Sequence, residues 1–331
     1  MSTYSPVAAF KPNPVSRLRT FSTITPPSRP ALIAICFSGD STAYSTIFPP
    51  VASSPSNFNL LNATFEALAL AETARDIYST LGDSAPSEGL AQAYSAIGYN
   101  LNQLKRMDEA ATAMSKAVEI LRENKSPIAL ELACTLGEWW YTSKQYDKVV
   151  ETMNECAQEH LVDGNEIGAA NDLHLIGCAE RELKNYERSI DAFKEARALF
   201  KRNKEVIHVA RCDQKIASCL IELGEGELAL ETARKAVDVF ETGHDHRRET
   251  FAQFEYGKAQ ILLEKFDDAL ATLEQVLSVV SEDEPKDFEF IVDVETRIAK
   301  IIRMQGRTDE ADEIERRLKS VQETLDEEPQ A

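Results

Sequence analysis

The chain repeats itself at a nearly constant spacing. A small residue recurs at Gly98, Gly137, Gly177, Ala217, Gly257 and Ala299, in steps of 39, 40, 40, 40 and 42. Twelve residues after each stand Ala110, Val149, Ser189, Ala229, Ala269 and Ala311. Sixteen after stand Met114, Met153, Phe193, Ala233, Leu273 and Glu315, and nineteen after stand Ala117, Cys156, Ala196, Ala236, Val276 and Leu318. Offsets of 12, 16 and 19 are successive helical turns, so these positions share one face of a second helix in each unit. A helix pair of this size cannot bury its apolar face alone; stacked neighbours complete the core. The repeat therefore replaces the two globular domains that 331 residues would otherwise suggest.

The turn inside each unit is also legible. It reads Lys105-Arg106-Met107-Asp108-Glu109 in the first unit, Lys144-Gln145-Tyr146-Asp147 in the second and Lys184-Asn185-Tyr186-Glu187 in the third. Gly224-Glu225-Gly226-Glu227, Lys265-Phe266-Asp267-Asp268 and Gly306-Arg307-Thr308-Asp309 follow. An acid opening each second helix complements the positive end of the helix dipole, and Asp or Thr there can cap free amides. Pro86, Pro127 and Pro285 fall between units, with Ser126-Pro127 expected as a cap followed by a first-turn proline. Ahead of the first unit, Ala67, Ala71, Ala74 and Ile77 fit the second-helix spacing. The place of their partner helix falls on Pro55, and proline inside a helix costs about 3 kcal/mol. Either the array opens with a lone capping helix, or the partner was lost to an incorrect chain start.

These residues resemble the tetratricopeptide repeat family in identity as well as period. The first unit offers Tyr94, Ile97-Gly98, Ala110, Met114 and Ala117; the second, Leu136-Gly137, Trp140 and Tyr146; the third, Ile176-Gly177, Tyr186, Phe193 and Ala196. The resemblance covers residues 58–322 and implies an all-α superhelical solenoid of antiparallel helix pairs, about six repeats plus an N-terminal capping helix. One departure is the period, which exceeds the roughly 34 residues usual in the family. The others are Val149 and Ser189 for the expected Ala, and Ala217 and Ala299 for Gly. Longer repeats of this kind occur in kinesin-light-chain-like proteins and bacterial regulatory arrays. Glu315 stands where an aromatic would pack, as a solvent-facing terminal cap requires.

Charge divides the chain. Residues 1–57 carry Lys11, Arg17, Arg19 and Arg29 against Asp40 alone, together with nine of the thirteen prolines. With no sustained period of 2 or 3.6, this Pro/Ser/Thr-rich segment reads as a disordered tail. Three accounts of it stand: a transit peptide around Arg17–Ser22, a weak secretory core at Ala31–Phe37, or an extension that includes a misplaced start. Residues 323–331 read as an acidic disordered tail. The whole chain has a formal charge of −19, which argues against nucleic acid and against an anionic membrane surface as partners. No apolar run approaches the ~20 residues that span a bilayer.

In such an array the first helices line the concave face. If their core stripe lies at offsets −4, −1, 0 and +3 from the small residue, the groove stripe lies at −6, −3, +1 and +4. It yields the candidate peptide-binding residues Tyr99, Asn102, Glu138, Tyr141, Asn171, His174, Arg181, Arg211, Gln214, Lys258, Lys300 and Arg303. Five of these are basic in an acidic protein, suited to a carboxylate or acidic peptide; the amides suit a peptide backbone. Against this stands the reading that they are solvated helix faces pairing with nearby Glu. No phosphate-cradling Gly loop, nucleophile elbow or His-Glu-x-x-His occurs. His244-Asp245-His246 is the one close group of ligand types in sequence, too few for a metal; no metal and no cofactor is expected. Six cysteines without a Cys-x-x-Cys fit free thiols in a reducing compartment. Cys134 and Cys178 fall on the groove stripe as small core-edge residues, with a redox role as the alternative. Trp140 belongs to the core stripe and Trp139 packs between units. The expectation is a protein- or peptide-binding scaffold in the cytoplasm that catalyses nothing itself. The alternatives are a ligand-sensing regulator and an organellar assembly factor, in mitochondria if residues 1–30 are a transit peptide. Self-association is not legible.

Overall fold

The computed structural model describes residues 57–82, 87–282 and 287–327. Residues 1–56 of the tail read over 1–57, together with Pro86, Pro285 and residues 328–331, lie outside the described ones, and Asn57 opens the first described helix. The described residues form thirteen helices and no strand. A leading helix α1 (Asn57–Leu81) precedes six pairs: α2 (Ser87–Gln103) with α3 (Met107–Glu123), α4 (Ile128–Thr142) with α5 (Tyr146–Val162), and α6 (Glu166–Glu182) with α7 (Tyr186–Arg202). Then come α8 (Val206–Glu222) with α9 (Gly226–Thr242), α10 (His246–Leu262) with α11 (Phe266–Glu282), and α12 (Phe288–Met304) with α13 (Thr308–Glu327). Each helix packs on the next, and α4, α6, α8 and α10 also touch one another in series. First helices thus form one layer and second helices the other. The last helix runs to Glu327, past the boundary at 322 expected from sequence.

One turn geometry builds the array. At the end of α6, the Lys184 N–H donates to Arg181 O and the Asn185 N–H to Glu180 O, with Lys184 at φ +62°. This is the Schellman closure of a helix, which places one residue in the left-handed region. It recurs within units at Lys105, Lys144, Gly224, Glu264 and Gly306, and between units at Lys125, Gly164, Lys204 and His244. Both kinds of turn are alike, so the structural period is half the sequence period. Side-chain caps fall elsewhere than expected. Helices α3, α5, α7 and α9 open without one. Asn165, Asp245 and Asp287 instead cap the first helices α6, α10 and α12. Pro127 is itself the cap position of α4, and Ser126 gives no side-chain cap. The acids expected at second-helix starts are present beside the positive end of the dipole, and several also take side-chain partners, as Glu109 does with Arg106 and Asp108 with Gln145.

The small residue of each first helix marks where the pair crosses. A Cβ built on Gly137 would lie 2.2 Å from the Met153 methyl, and one on Gly177 would lie 2.8 Å from the Phe193 ring. At Gly257 the obstacle is Leu273, at 2.9 Å. In each case the obstacle is the residue sixteen positions on, so sequence offset and physical contact coincide. Size explains the departure in the fourth unit: Ala217 is paired by the same offset with Ala233, and both are fully buried. Trp139 and Trp140 are buried, with Trp139 against Gly98 of the preceding unit. In the last unit Glu315 is exposed and paired with Arg303, as a terminal cap requires.

The leading helix departs from the expected register. It buries Thr64, Leu68, Ala71 and Tyr78, whereas Ala67, Ala74 and Ile77 are only half-buried. Ala67 and Ala74 occupy positions that would face a first helix of the same unit, and none precedes them among the described residues. The face turned to α2 is the one that packs: Tyr78 covers Gly89 so closely that a Cβ there would meet its ring at 2.4 Å.

Candidate functional site

The twelve groove candidates separate into three groups. Near the N-terminal end, Tyr99 is half-buried and meets Trp139 edge-on at 5.4 Å between ring centroids, with Asn102 half-buried nearby in sequence. Glu138 and Asn171 are exposed on α4 and α6. At the other end, Lys300 is exposed, and Arg303 is held by Asp312 at 2.6 Å and Glu315 at 2.9 Å. Both carboxylates lie on α13, the second helix of its own unit. Arg303 is therefore paired within the last unit, as in the alternative reading of the stripe as helix faces pairing with nearby acids. Lys258 is paired likewise: its ammonium lies 2.7 Å from Glu255 and over the Phe254 ring. Lysine at i and glutamate at i−3 share one helix face, so α10 neutralises its own charge.

The middle of the array gathers the rest. Tyr141 from α4, His174, Cys178 and Arg181 from α6, and Arg211 and Lys215 from α8 lie close enough to act on one another's charge. Gln214 is half-buried between Arg211 and Lys215 in sequence. Arg181 is paired with Glu182 at 2.7 Å. Arg211 and Lys215 are half-buried and make no side-chain hydrogen bond or ion pair with the described residues. Glu255 of α10 acts on Lys215 from a distance, and its own ion pair is with Lys258. In a chain with 55 acids to 36 bases, two neighbouring cations on one helix face without a paired carboxylate are unexpected on composition. Lys215 was missed by the stripe rule because it sits at offset −2. The signal that finds it is its position four residues after Arg211, which puts both on one face of α8.

The titrating groups report the same concentration of positive charge. Burial first, then Arg211 and Lys215, push His174 down to about 3, so its ring is neutral. Its Nδ1 lies 3.8 Å from the Cys178 thiol, its ring packs edge-on against Phe193, and its buried Nε2 has no hydrogen-bond partner. Burial first, then Arg181, lowers Lys215. Burial pushes Tyr141 up to about 12, with Cys178 adding to it. The Cys178 thiol is raised by burial as well, which keeps it protonated and removes the basis for a reactive thiolate there. The arrangement gathers two cationic donors, a neutral imidazole nitrogen, a phenol and an amide in one cluster. It suits an anionic group carried on a larger molecule.

A second gathering was invisible in sequence. Cys134 of α4, His160 of α5 and Asp172 of α6 meet where the second and third units join. They come from three separate helices, and their spacing along the chain fits no local motif. His244-Asp245-His246, the close group in sequence, forms a turn and helix start: His244 takes φ +53° and Asp245 caps α10.

Residues 91–124, the first helix pair from the middle of α2, match the tetratricopeptide repeat family. No curated protein matches the chain. Among solved structures, the apo form of RapI is similar over 82% of this chain and 88% of its own, at 15% identity and a TM-score of 0.62. A signal transduction ATPase with numerous domains from Pyrococcus horikoshii, which carries a tetratricopeptide repeat sensor, is similar over 82% of this chain and 44% of its own, at 15% identity and a TM-score of 0.59. Aspartyl phosphate phosphatase F from Bacillus subtilis is similar over 80% of this chain and 68% of its own, at 15% identity and a TM-score of 0.53. With one repeat matched in sequence and six helix pairs among the described residues, the chain has the fold of a helical solenoid like those of tetratricopeptide repeat proteins.

Proposed function

We propose that this chain is a protein- or peptide-binding adaptor whose central recess takes an acidic segment of its partner, with no catalysis of its own. The observation that carries this reading is the pair Arg211 and Lys215, half-buried and without a paired carboxylate in a strongly acidic chain. A cation held partly out of water gains a charge-assisted hydrogen bond when a carboxylate arrives, about 1.5–3 kcal/mol for each such bond. Arg181, already paired with Glu182, supplies further field, and Gln214 and Tyr141 supply neutral donors. Five free cysteines among the described residues, four of them buried, support a reducing compartment and thus the cytoplasm.

The test is a peptide array rich in Asp, Glu and free C-terminal carboxylates, followed by fluorescence anisotropy on the best binder. Arg211→Ala and Lys215→Ala should each weaken binding by about tenfold or more, and affinity should fall with added salt. Undiminished binding by the double variant would remove the reading. The sensor role named for the Pyrococcus protein supports a second use of the same recess, in which the bound peptide is a signal. Marked thermal stabilisation by one short free peptide would favour sensing; binding only to a folded partner would favour scaffolding.

A further inference from the structure

We infer that Cys134, His160 and Asp172 form a zinc-type metal site at the junction of the second and third units, with Cys156 as its fourth ligand. Asp172 is the centre of the group. Its Oδ2 lies 2.6 Å from His160 Nδ1, and its Oδ1 accepts from the Cys134 thiol at 3.8 Å. One ligand atom from each of the three residues lies within 4.8 Å of the other two. Asp172 is buried, His160 is only 15% exposed at its side chain, and Cys134 is half-buried. Cys156 is fully buried and lies close enough to Cys134 to act on its thiol. It also stands four residues before His160, which places both on one face of α5.

Three features make this a metal site in geometry and chemistry. First, tetrahedral zinc with bonds of about 2.0–2.3 Å sets its ligands about 3.2–3.8 Å apart. The observed separations of 2.6, 3.8 and at most 4.8 Å among Cys134, His160 and Asp172 bracket that range, so adjustments of about 1 Å bring these three into place around one ion. Second, the donors are two sulfurs, an imidazole and a carboxylate. That set suits zinc and its neighbours, while calcium and magnesium require oxygen donors. Third, the group joins α4, α5 and α6, and a short polar network would not need two thiols to join them. Zinc would displace the two thiol protons, and His160 would bind through Nδ1 with its ring proton on Nε2, leaving two thiolates, a carboxylate and a neutral imidazole on the ion.

The site is distinct from the cationic recess, and its test does not depend on partner binding. The full chain is stripped with chelator under reducing conditions and titrated with cobalt(II), then with zinc(II). One cobalt per chain should bind with a thiolate-to-cobalt charge-transfer band, and zinc should abolish the band and raise the melting temperature. Cys134→Ser combined with Cys156→Ser should remove the band, and His160→Gln should weaken cobalt binding by at least tenfold. Circular dichroism provides the folding control for each variant. X-ray absorption on the zinc-loaded wild type should show a mixed shell of sulfur and nitrogen or oxygen donors, and this holds even if a variant fails to fold. Cobalt binding without a charge-transfer band, a band that survives the double substitution, or a zinc shell lacking sulfur would each overturn the assignment.

Discussion

The contact between Gly177 and Phe193 gives the account its most quantitative test. Substituting Gly177→Ala adds a Cβ that would stand 2.8 Å from the Phe193 ring, against about 3.5–4.0 Å for comfortable carbon contact. Phe193 is fully buried, so the ring has little room to retreat. Overpacking of this kind costs about 1–3 kcal/mol, and alanine recovers about 1 kcal/mol of helix propensity over glycine. The net expectation is a loss of about 1 kcal/mol. Truncating Phe193→Ala costs about 3–5 kcal/mol through the cavity it leaves. In that background the clash is gone, so adding Gly177→Ala should be neutral or stabilising by about 1 kcal/mol. The coupling between the two sites is then about 2 kcal/mol. The double variant reproduces the Ala217 and Ala233 pairing of the fourth unit, where Ala217→Gly should simply lose about 1 kcal/mol. Urea unfolding followed by circular dichroism measures the sums. Hydrogen exchange in α6 and α7 localises them, because repeat arrays open in parts. Equal losses from Gly177→Ala in both backgrounds would show that the crossing argument is wrong.

Two further outcomes follow from the turns and caps. Lys204 holds φ +62° in a turn between units, a conformation costing a side-chain-bearing residue about 1–2 kcal/mol, partly offset by the greater freedom glycine loses on folding. Lys204→Gly should therefore raise the stability by up to about 1 kcal/mol, and a loss would contradict the reading of that turn. At Asp245, partial burial works against the charged form, but the Arg248 side chain and backbone N–H outweigh it and hold the carboxyl below its ordinary value. Stability from a depressed carboxylate is present above its unfolded pKa and lost as pH falls through the folded one. Asp245→Ala should thus cost about 1 kcal/mol at pH 7 and progressively less below about pH 4. A cost independent of pH would indicate that the cap is not acting through its charge.

The array was legible in the sequence because repeated contacts leave repeated residues. Gly137, Gly177 and Gly257 each meet the residue sixteen positions on, and that single constraint set the period, the pairing and the second-helix face. The half-repeat remained hidden since the Schellman turns accept Lys, His, Glu and Gly alike and leave a mixed residue trace. The register of α1 shifted because its stripe was assigned as though a first helix lay beside it. Groove geometry was legible only as a stripe. Whether a cation on it is available depends on carboxylates of other helices or turns, as Arg303 with Asp312 and Glu315 shows, and spacing alone does not report these. Lys215 and the meeting of Cys134, His160 and Asp172 are products of stacking between units. Their sequence separations follow helix packing and match no local signature.

Site-specific photocrosslinking tests the central claim most directly. A photoreactive side chain at Gln214, in the recess on α8, is compared with one at Lys194, on the second helix α7 and outside the recess. With an acidic peptide bound, the account predicts strong adducts from position 214 that vanish when Arg211 and Lys215 are both replaced by Ala. It predicts only background adducts from position 194. Equal labelling at both positions, or adducts at 214 that survive the loss of both cations, would contradict a cationic recess as the binding site.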